Sequence, residues 1–349
     1  MGCKLKTTTF SIITICLLVI TACAEKEAPP TVSVEGPQSA AYVFQQEFYP
    51  HYETIYLPSG KGYEFRNPDS SKLLITMEGG PSWQAKVGKE GSRAWGYWII
   101  DWLLPLYTDY DYNIFVPEHF DWEENELYYY WNILEERERV TFDSVQTCYE
   151  EVIGEYLSQN EYETIIIAGF SEGAMHLPMV YSKLENSKIV AIVSIGYGGL
   201  SKYEDYMVSF SKQQAGKVPF EIQDYWENQY YGMGIKPLLD YAQEEPRNDS
   251  IDRFPGRSSR ITYKWLNSIL EKRPFDYYVN IDVPVLFLHG ERDRNVSVES
   301  TRYVEENLPD KPFDYIYYPE MAHAPTTREE LNILRIFYCS PPRLSHAAP

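Results

Sequence analysis

The chain has 349 residues, which is enough for one large domain or two smaller ones with a sizeable apolar core. Hydrophobic residues make up 44% of it and charged residues 23%, values typical of globular proteins, and no repeat or low-complexity tract interrupts it. The 51 acidic residues outnumber the 31 basic ones and give a formal net charge of −20. Such a surface repels nucleic acid and anionic lipid headgroups, so composition excludes nucleic acid as a partner.

The first 22 residues have the pattern of a signal peptide. Two lysines supply a positive region, and residues 10–20 form an apolar core that is too short to span a bilayer as a stable helix. Residues 20–23, Ile-Thr-Ala-Cys, resemble a bacterial lipobox, in which Cys23 is diacylated and becomes the mature N-terminus. The alternatives are a plain signal peptide cut near Ala24 and an uncleaved anchor.

Lipidation of Cys23 would anchor the protein to a membrane of the bacterial cell envelope. Ala24 after the cysteine resembles the sorting signal for the outer membrane, and residues 23–40 read as a flexible tether with two adjacent prolines. Removal of residues 1–22, which hold two lysines and no acids, lowers the basic count from 31 to 29 against 51 acidic residues. The mature surface is therefore still more acidic.

The first half of the chain predicts mainly strands before its central motif. Alternation and apolar runs predict strands over residues 31–34, 53–58, 72–77 and 112–117, with a tryptophan-rich helix over 93–106 and a second helix over 142–159. The 72–77 strand is apolar enough to be central, and it leads directly into Gly79 and Gly80. Glycines at those positions have the backbone freedom to aim an N–H group.

Residues 163–179, ETIIIAGFSEGAMHLPM, form the centre of the pattern. Three isoleucines predict a short strand buried on both faces, and a helical pattern follows it. Ser171 lies at the bend between Gly169 and Gly173, where a Cβ on either glycine would collide with the neighbouring strand or helix. The first N–H of the new helix, on Glu172, is predicted to point to a space where an oxyanion could form.

The run Gly169-Phe170-Ser171-Glu172-Gly173 resembles the G-x-S-x-G nucleophile elbow of the α/β-hydrolase family. The resemblance implies an α/β fold with a mostly parallel central sheet flanked by helices. It also implies an oxyanion hole formed by the N–H of Glu172 and by an N–H of Gly79 or Gly80. Relatives carry His-Gly-Gly in that glycine loop, and Glu78 stands here in place of the histidine.

The last two predicted strands, over residues 283–288 and 315–318, are each followed by a candidate site residue. After the first strand, Asp293 stands in a Gly-x-x-Asp-x-x-Val setting, which is where relatives have their triad acid. His323 follows the second strand, so serine, acid and histidine occur in the family's chain order. The resemblance implies Ser171 as nucleophile, His323 as general base, and Asp293 as the group that orients the base.

Four other histidines are less suited to catalysis. His119 precedes the nucleophile and is expected to line the site or to be structural, while His176 falls on the nucleophile helix and His346 in the terminal tail. His289 is expected to pack or to bond to backbone beside the acid turn. No cysteine, histidine or carboxylate cluster has metal-ligand spacing, so neither a metal nor a cofactor is predicted.

Strand-like runs disappear between residues 197 and 280, which predicts a helical cap over the nucleophile. Helices are expected around 220–231, 237–243 and 259–272. The cap's aromatic residues either line a substrate pocket or bury the cap on the core: Tyr225, Trp226, Tyr230, Tyr231, Tyr263 and Trp265. The chain is thus divided into a signal peptide (1–22), a tether (23–40), a hydrolase core (41–196 and 281–338), a cap (197–280) and a tail (339–349).

The function implied by this resemblance is that of a serine hydrolase. It would cleave a carboxylic ester or related acyl bond of a small molecule through an acyl-serine intermediate. A short-peptide or aminoacyl amide hydrolase is the alternative towards which the Gly-Gly-Pro loop leans. A non-catalytic binding lipoprotein on the same scaffold and a different chemistry on the same fold also stay open.

Overall fold

The computed structural model describes residues 52–79, 112–118, 140–184, 187–218, 222–224, 235–244, 247–250, 252 and 262–325. The strands in this part of the chain are β1 (Tyr52–Leu57), β2 (Gly60–Phe65), β3 (Lys72–Met77), β4 (Tyr112–Glu118), β5 (Thr164–Phe170), β6 (Ile189–Ile195), β7 (Val285–Gly290) and β8 (Phe313–Tyr318). The helices there are α1 (Phe142–Gln159), α2 (Glu172–Leu184), α3 (Lys202–Gln214), α4 (Ile235–Ala242), α5 (Tyr263–Leu270), α6 (Phe275–Tyr278) and α7 (Glu299–Asn307).

The eight strands form one sheet in the order β1-β2-β4-β3-β5-β6-β7-β8. Strand β2 pairs antiparallel with β1 and with β4, whereas all pairs from β4 to β8 are parallel. The carboxyl ends of parallel strands meet at one edge of a sheet, and ligand sites of such sheets lie at that edge. The predicted fold class, a mostly parallel sheet flanked by helices, is therefore confirmed.

The apolar run of β5 explains its central place in the sheet. Successive side chains of a strand point to opposite faces. Accordingly, Ile165 and Ile167 belong to the core that also contains apolar residues of α1 and α2, whereas Ile166 and Ala168 belong to a second core on the other face. A strand covered on both faces has no polar side, which is why its sequence does not alternate.

Helix α1 begins at the predicted residue because its sequence caps it. Thr141 is the N-cap: its side chain accepts a hydrogen bond from the N–H of Ser144, whose side chain in turn accepts from the N–H of Thr141. Buried residues recur at helical spacing on the face that packs against the sheet, among them Val145, Tyr149 and Val152.

The predicted strands within the described residues are all found, with shifts of up to three residues at their ends. Strand β5 continues three residues past its isoleucine run to Phe170, and β7 continues to Gly290, so His289 lies within the strand and not after it. The cap helices expected around 237–243 and 259–272 correspond to α4 and α5. The predicted strand over 31–34 and helix over 93–106 lie outside the described residues.

The boundaries of the signal peptide, tether, cap and tail stay predictions. None of the helices in the described ranges is both long and apolar enough to cross a membrane.

Candidate active site

Ser171 forms a sharp bend between β5 and α2. Its φ of 54° makes it the one residue other than glycine with positive φ in the described part of the chain. The left-handed conformation costs an ordinary residue about 1–2 kcal/mol, so the surrounding structure must hold it in place. The serine N–H donates to the carbonyl oxygen of Ile195 in β6 at 2.9 Å, and its own carbonyl accepts from the N–H of Met175 at 3.2 Å.

The flanking glycines are required by close contacts, as the sequence predicted. A Cβ on Gly173 would lie 2.3 Å from the carbonyl oxygen of Met77, at the end of β3. A Cβ on Gly169 would lie 2.5 Å from the carbonyl oxygen of Gly173. Both distances are shorter than any contact that a carbon atom tolerates, so the bend forms in this position only with glycine at both sites.

The loop after β3 lies directly against the bend. A Cβ on Gly79 would lie 2.6 Å from the Cβ of Ser171 and 2.9 Å from the carbonyl oxygen of Phe170. Glu172 is the first residue of α2, and helix geometry gives its N–H no partner within the helix. Two of the three predicted oxyanion residues are therefore next to Ser171, and the third, Gly80, lies outside the described residues.

His323 joins the other two predicted site residues, although it is 152 residues away from the serine. Its Nε2 is 2.8 Å from Ser171 Oγ, and its Nδ1 is 2.7 Å from Asp293 Oδ2. An ionised carboxylate can only accept, so Nδ1 carries the proton and donates to Asp293. Nε2 is then the acceptor that faces the serine hydroxyl. The histidine side chain keeps 16% of its surface exposed, whereas that of Asp293 is fully buried.

Asp293 is held in its ionised form by the groups around it. Its Oδ1 accepts hydrogen bonds from the N–H groups of Asn295 at 2.8 Å and Val296 at 3.0 Å. Burial alone would raise the pKa of the carboxyl, but the charges and hydrogen bonds of His323 and His289 outweigh it and hold this pKa well below its usual range.

His289 contacts the same carboxylate oxygen of the buried acid as His323 does. Its Nε2 is 3.2 Å from Asp293 Oδ2 and also 3.2 Å from the carbonyl oxygen of Val296, while its Nδ1 is 2.8 Å from Thr301 Oγ1. The expected bond to backbone is present, and the contact with the acid was missed. The spacing of four residues between His289 and Asp293 was the available signal.

The side chain of Glu172 points away from the serine into a buried polar cluster. Its Oε1 is 3.6 Å from His176 Nε2, and the residue is 7% exposed. Burial raises the pKa of this carboxyl to about 8, while the Trp265 indole and the charge of Lys202 act in the opposite direction. Burial thus favours the protonated form of Glu172 at neutral pH.

The other candidates from the sequence have different positions. His176 is fully buried, stacks on Phe142 and bonds through Nδ1 to Gln146 Oε1 at 2.8 Å. Trp265 is buried in the core, and Tyr263 packs on Tyr241 of α4. Several residues lie outside the described ranges: Cys23, His119, Tyr225, Trp226, Tyr230, Tyr231 and His346.

No protein-family model matches the chain. A curated relative, the uncharacterized peptidase YtmA of Bacillus subtilis, is 36% identical over 103 residues, which cover 28% of this chain and 38% of that protein. The match therefore spans well under half the length of the relative.

Solved structures resemble the chain over most of its length. Est1E from Butyrivibrio proteoclasticus matches with a TM-score of 0.51 and 15% identity, covering 83% of this chain and 96% of that one. An acylaminoacyl peptidase from Pyrococcus horikoshii matches with a TM-score of 0.49 and 14% identity, covering 86% of this chain and 43% of that one. The strand order, the serine bend and the likeness to Est1E together establish that this chain has the α/β-hydrolase fold.

Proposed function

We propose that this chain is a serine hydrolase that cleaves a carboxylic ester or related acyl bond through an acyl-serine intermediate. The observation that carries the proposal is the position of His323, with Nε2 2.8 Å from Ser171 Oγ and Nδ1 2.7 Å from Asp293 Oδ2. A serine hydroxyl is a weak nucleophile at neutral pH, and a histidine at this distance can remove its proton as the new bond forms.

The reaction follows from these contacts in two steps. Ser171 Oγ attacks the carbonyl carbon while His323 Nε2 takes its proton, and His323 then gives that proton to the leaving alcohol or amine. Water attacks the acyl-serine in the second step, with His323 again acting first as base and then as acid. Asp293 stays ionised throughout and stabilises the imidazolium, which is consistent with its lowered pKa.

The negative charge on the substrate oxygen needs donors that are already in place. The N–H of Glu172 and an N–H of Gly79 or Gly80 fill this role in the proposal, and each donor is worth on the order of 3 kcal/mol in kcat. The close approach of Gly79 to the Cβ of Ser171 supports it, because a donor must lie near the atom under attack.

Hydrolysis of a short peptide or aminoacyl amide is the second candidate. The stretch of 36% identity to a peptidase supports it, whereas nothing in the described residues distinguishes an ester from an amide. The hypothesis of a binding protein without catalysis has less support. Catalysis requires a serine, a histidine and an ionised acid within hydrogen-bonding distance, whereas binding does not.

Hydrolysis of p-nitrophenyl acetate and of an aminoacyl p-nitroanilide by the purified chain tests the proposal. Ser171→Ala and His323→Ala are each expected to lower kcat by a factor on the order of 10⁴ or more. Ser158→Ala, an exposed serine on α1, is the matched control and should keep the wild-type rate. Wild-type turnover by the Ser171 variant would refute the assignment, and turnover of the anilide would support the amidase function.

The proposal extends to the location of the protein. A diacylated Cys23 would tether the hydrolase to the bacterial cell envelope, in the outer membrane of a species that has one. Growth of the producing bacterium with an alkyne analogue of palmitate should label the wild type and the Cys3→Ser control. Cys23→Ser should abolish the label, and a labelled Cys23 variant would contradict the lipobox interpretation.

A further inference from the structure

A buried ion pair borders the turn that follows Asp293. Lys202 Nζ, at the start of α3, donates to Asp205 Oδ2 at 3.1 Å and to the carbonyl oxygen of Asn295 at 3.1 Å. The other carboxylate oxygen, Asp205 Oδ1, accepts from the N–H of Ser297 at 2.8 Å. Two side chains of one helix thus bind the turn at residues on both sides of Val296.

Asp293 binds the same turn from the other side. Its Oδ1 accepts from the N–H groups of Asn295 and Val296, so the turn lies between the acid and the ion pair. A shift of the turn relative to α3 would move both N–H donors of Asp293. The carboxylate would then change its position relative to His323, whose Nδ1 is 2.7 Å away.

The pair is almost completely withdrawn from water. Lys202 is 4% exposed and Asp205 1%, and the lysine ammonium lies over the rings of Tyr197 and Tyr206 at 5.7 and 5.4 Å from their centres. Apolar residues of similar volume usually stabilise a fold as well as a buried ion pair does, or better. Stability alone therefore does not explain why Lys202 and Asp205 are charged. Their directed hydrogen bonds to the turn do explain it.

Hydrogen bonds hold the start of α3 in a fixed position, so this helix can in turn hold the turn after Asp293. Ser201 caps the helix by accepting from the N–H of Glu204, whose side chain accepts from the N–H of Ser201. The segment that leads into the helix is also fixed, because the N–H groups of Gly198 and Leu200 both donate to Ser300 Oγ at 3.2 Å.

We infer that Lys202 and Asp205 are positioning residues for the triad acid, a role that rests on the hydrolase function proposed above. They act through the turn and do not contact the reacting atoms. Because a misplacement of about 1 Å can cost about 100-fold in rate, loss of the pair should lower kcat strongly and leave KM almost unchanged.

The decisive variant is the double substitution Lys202→Met with Asp205→Leu in the full-length chain. It removes both charges together, so no uncompensated charge is buried, and the loss of the bonds to Ser297 N–H and Asn295 C=O should lower the urea midpoint only moderately, with the protein still folded. The kcat for p-nitrophenyl acetate should nevertheless fall by about 100-fold, with KM within about twofold. If the double variant does not fold, Lys202→Met with Asp205→Asn, which buries no charge and keeps an acceptor for Ser297, should lower kcat by about tenfold.

Lys212→Met is the matched control. Lys212 also lies on α3 and pairs with Glu299, but it has no bond to the turn after Asp293. Its kcat should equal that of the wild type.

A second readout separates this inference from the hydrolase function. The proton on His323 Nδ1, bonded to Asp293, should give a low-field NMR resonance in the wild type that is lost or moved in the double variant and kept in the Lys212 control. A wild type that neither turns over nor labels at Ser171 would refute the hydrolase function, and the resonance would still test the positioning role. A stable double variant with the wild-type resonance and, in an active enzyme, the wild-type kcat would overturn the positioning role alone.

Discussion

Replacing Glu172 by glutamine is predicted to remove a pH dependence from the stability of the protein. Burial raises the pKa of the folded-state carboxyl from 4.5 to about 8, whereas the group is exposed to water in the unfolded chain. Between these two values the folded protein holds a proton that the unfolded chain has released. The free energy of unfolding therefore falls as the pH rises through this window.

The magnitude follows from the size of the pKa shift. Each pH unit within the window lowers the free energy of unfolding by about 1.4 kcal/mol, so the shift from 4.5 to about 8 amounts to about 5 kcal/mol. Glu172 has no such effect below pH 4.5, and above pH 8 the full loss is present. Glutamine has the shape of the protonated acid and does not titrate, so it fills the same buried site without a charge at any pH.

Urea unfolding of the wild type and Glu172→Gln between about pH 5 and pH 9 measures this effect. The difference in unfolding free energy between the two should grow in favour of the variant by about 1.4 kcal/mol per pH unit and level off near pH 8. Glu161→Gln, which makes the same charge change at an exposed position, should give a curve parallel to the wild type. A parallel curve for Glu172→Gln would refute the claim that burial keeps this carboxyl protonated.

Three further substitutions test the site and the fold that supports it. Asp293→Asn should lower kcat by about 10⁴-fold in the p-nitrophenyl acetate assay, because the amide no longer fixes the histidine tautomer, while the exposed control Asp282→Asn should keep the wild-type rate. Gly290→Ala should lower both kcat and the urea midpoint, because the new Cβ would lie 2.1 Å from the carbonyl oxygen of Met321, in the loop that carries the histidine. Wild-type values of both would contradict this close contact. Gly154→Ala, in α1 with only an ordinary 3.9 Å contact, should instead raise the unfolding free energy by about 0.5–1 kcal/mol, and a loss there would contradict the helix assignment.

The sequence predicts those parts of the fold whose cause is local. The isoleucine run of β5, the capped start of α1 and the Gly-x-Ser-x-Gly bend each depend on residues close together in the chain, and each is found at or near its predicted place. Helix α7 was not predicted, because its sequence, ESTRYVEEN, has too few apolar residues to show a helical period.

Contacts between distant residues explain what the sequence did not predict about the site. Lys202 and Asp205 bind Asn295 and Ser297 across 93 and 92 residues of chain, and no local pattern encodes such a pairing. Trp265 was a candidate for the pocket and is a core residue, since aromatic content alone does not tell which face of a cap helix is buried.

Labelling of the purified chain with a fluorophosphonate probe tests the central claim most directly, because the probe reacts only with a serine that a neighbouring base has activated. Wild type and Ser171→Ala would be treated side by side, and the modified peptide would be identified by mass spectrometry. We predict a single adduct on Ser171 in the wild type and none in the variant. A folded wild type that stays unlabelled, or that labels equally in the variant, would contradict the assignment of Ser171 as the nucleophile.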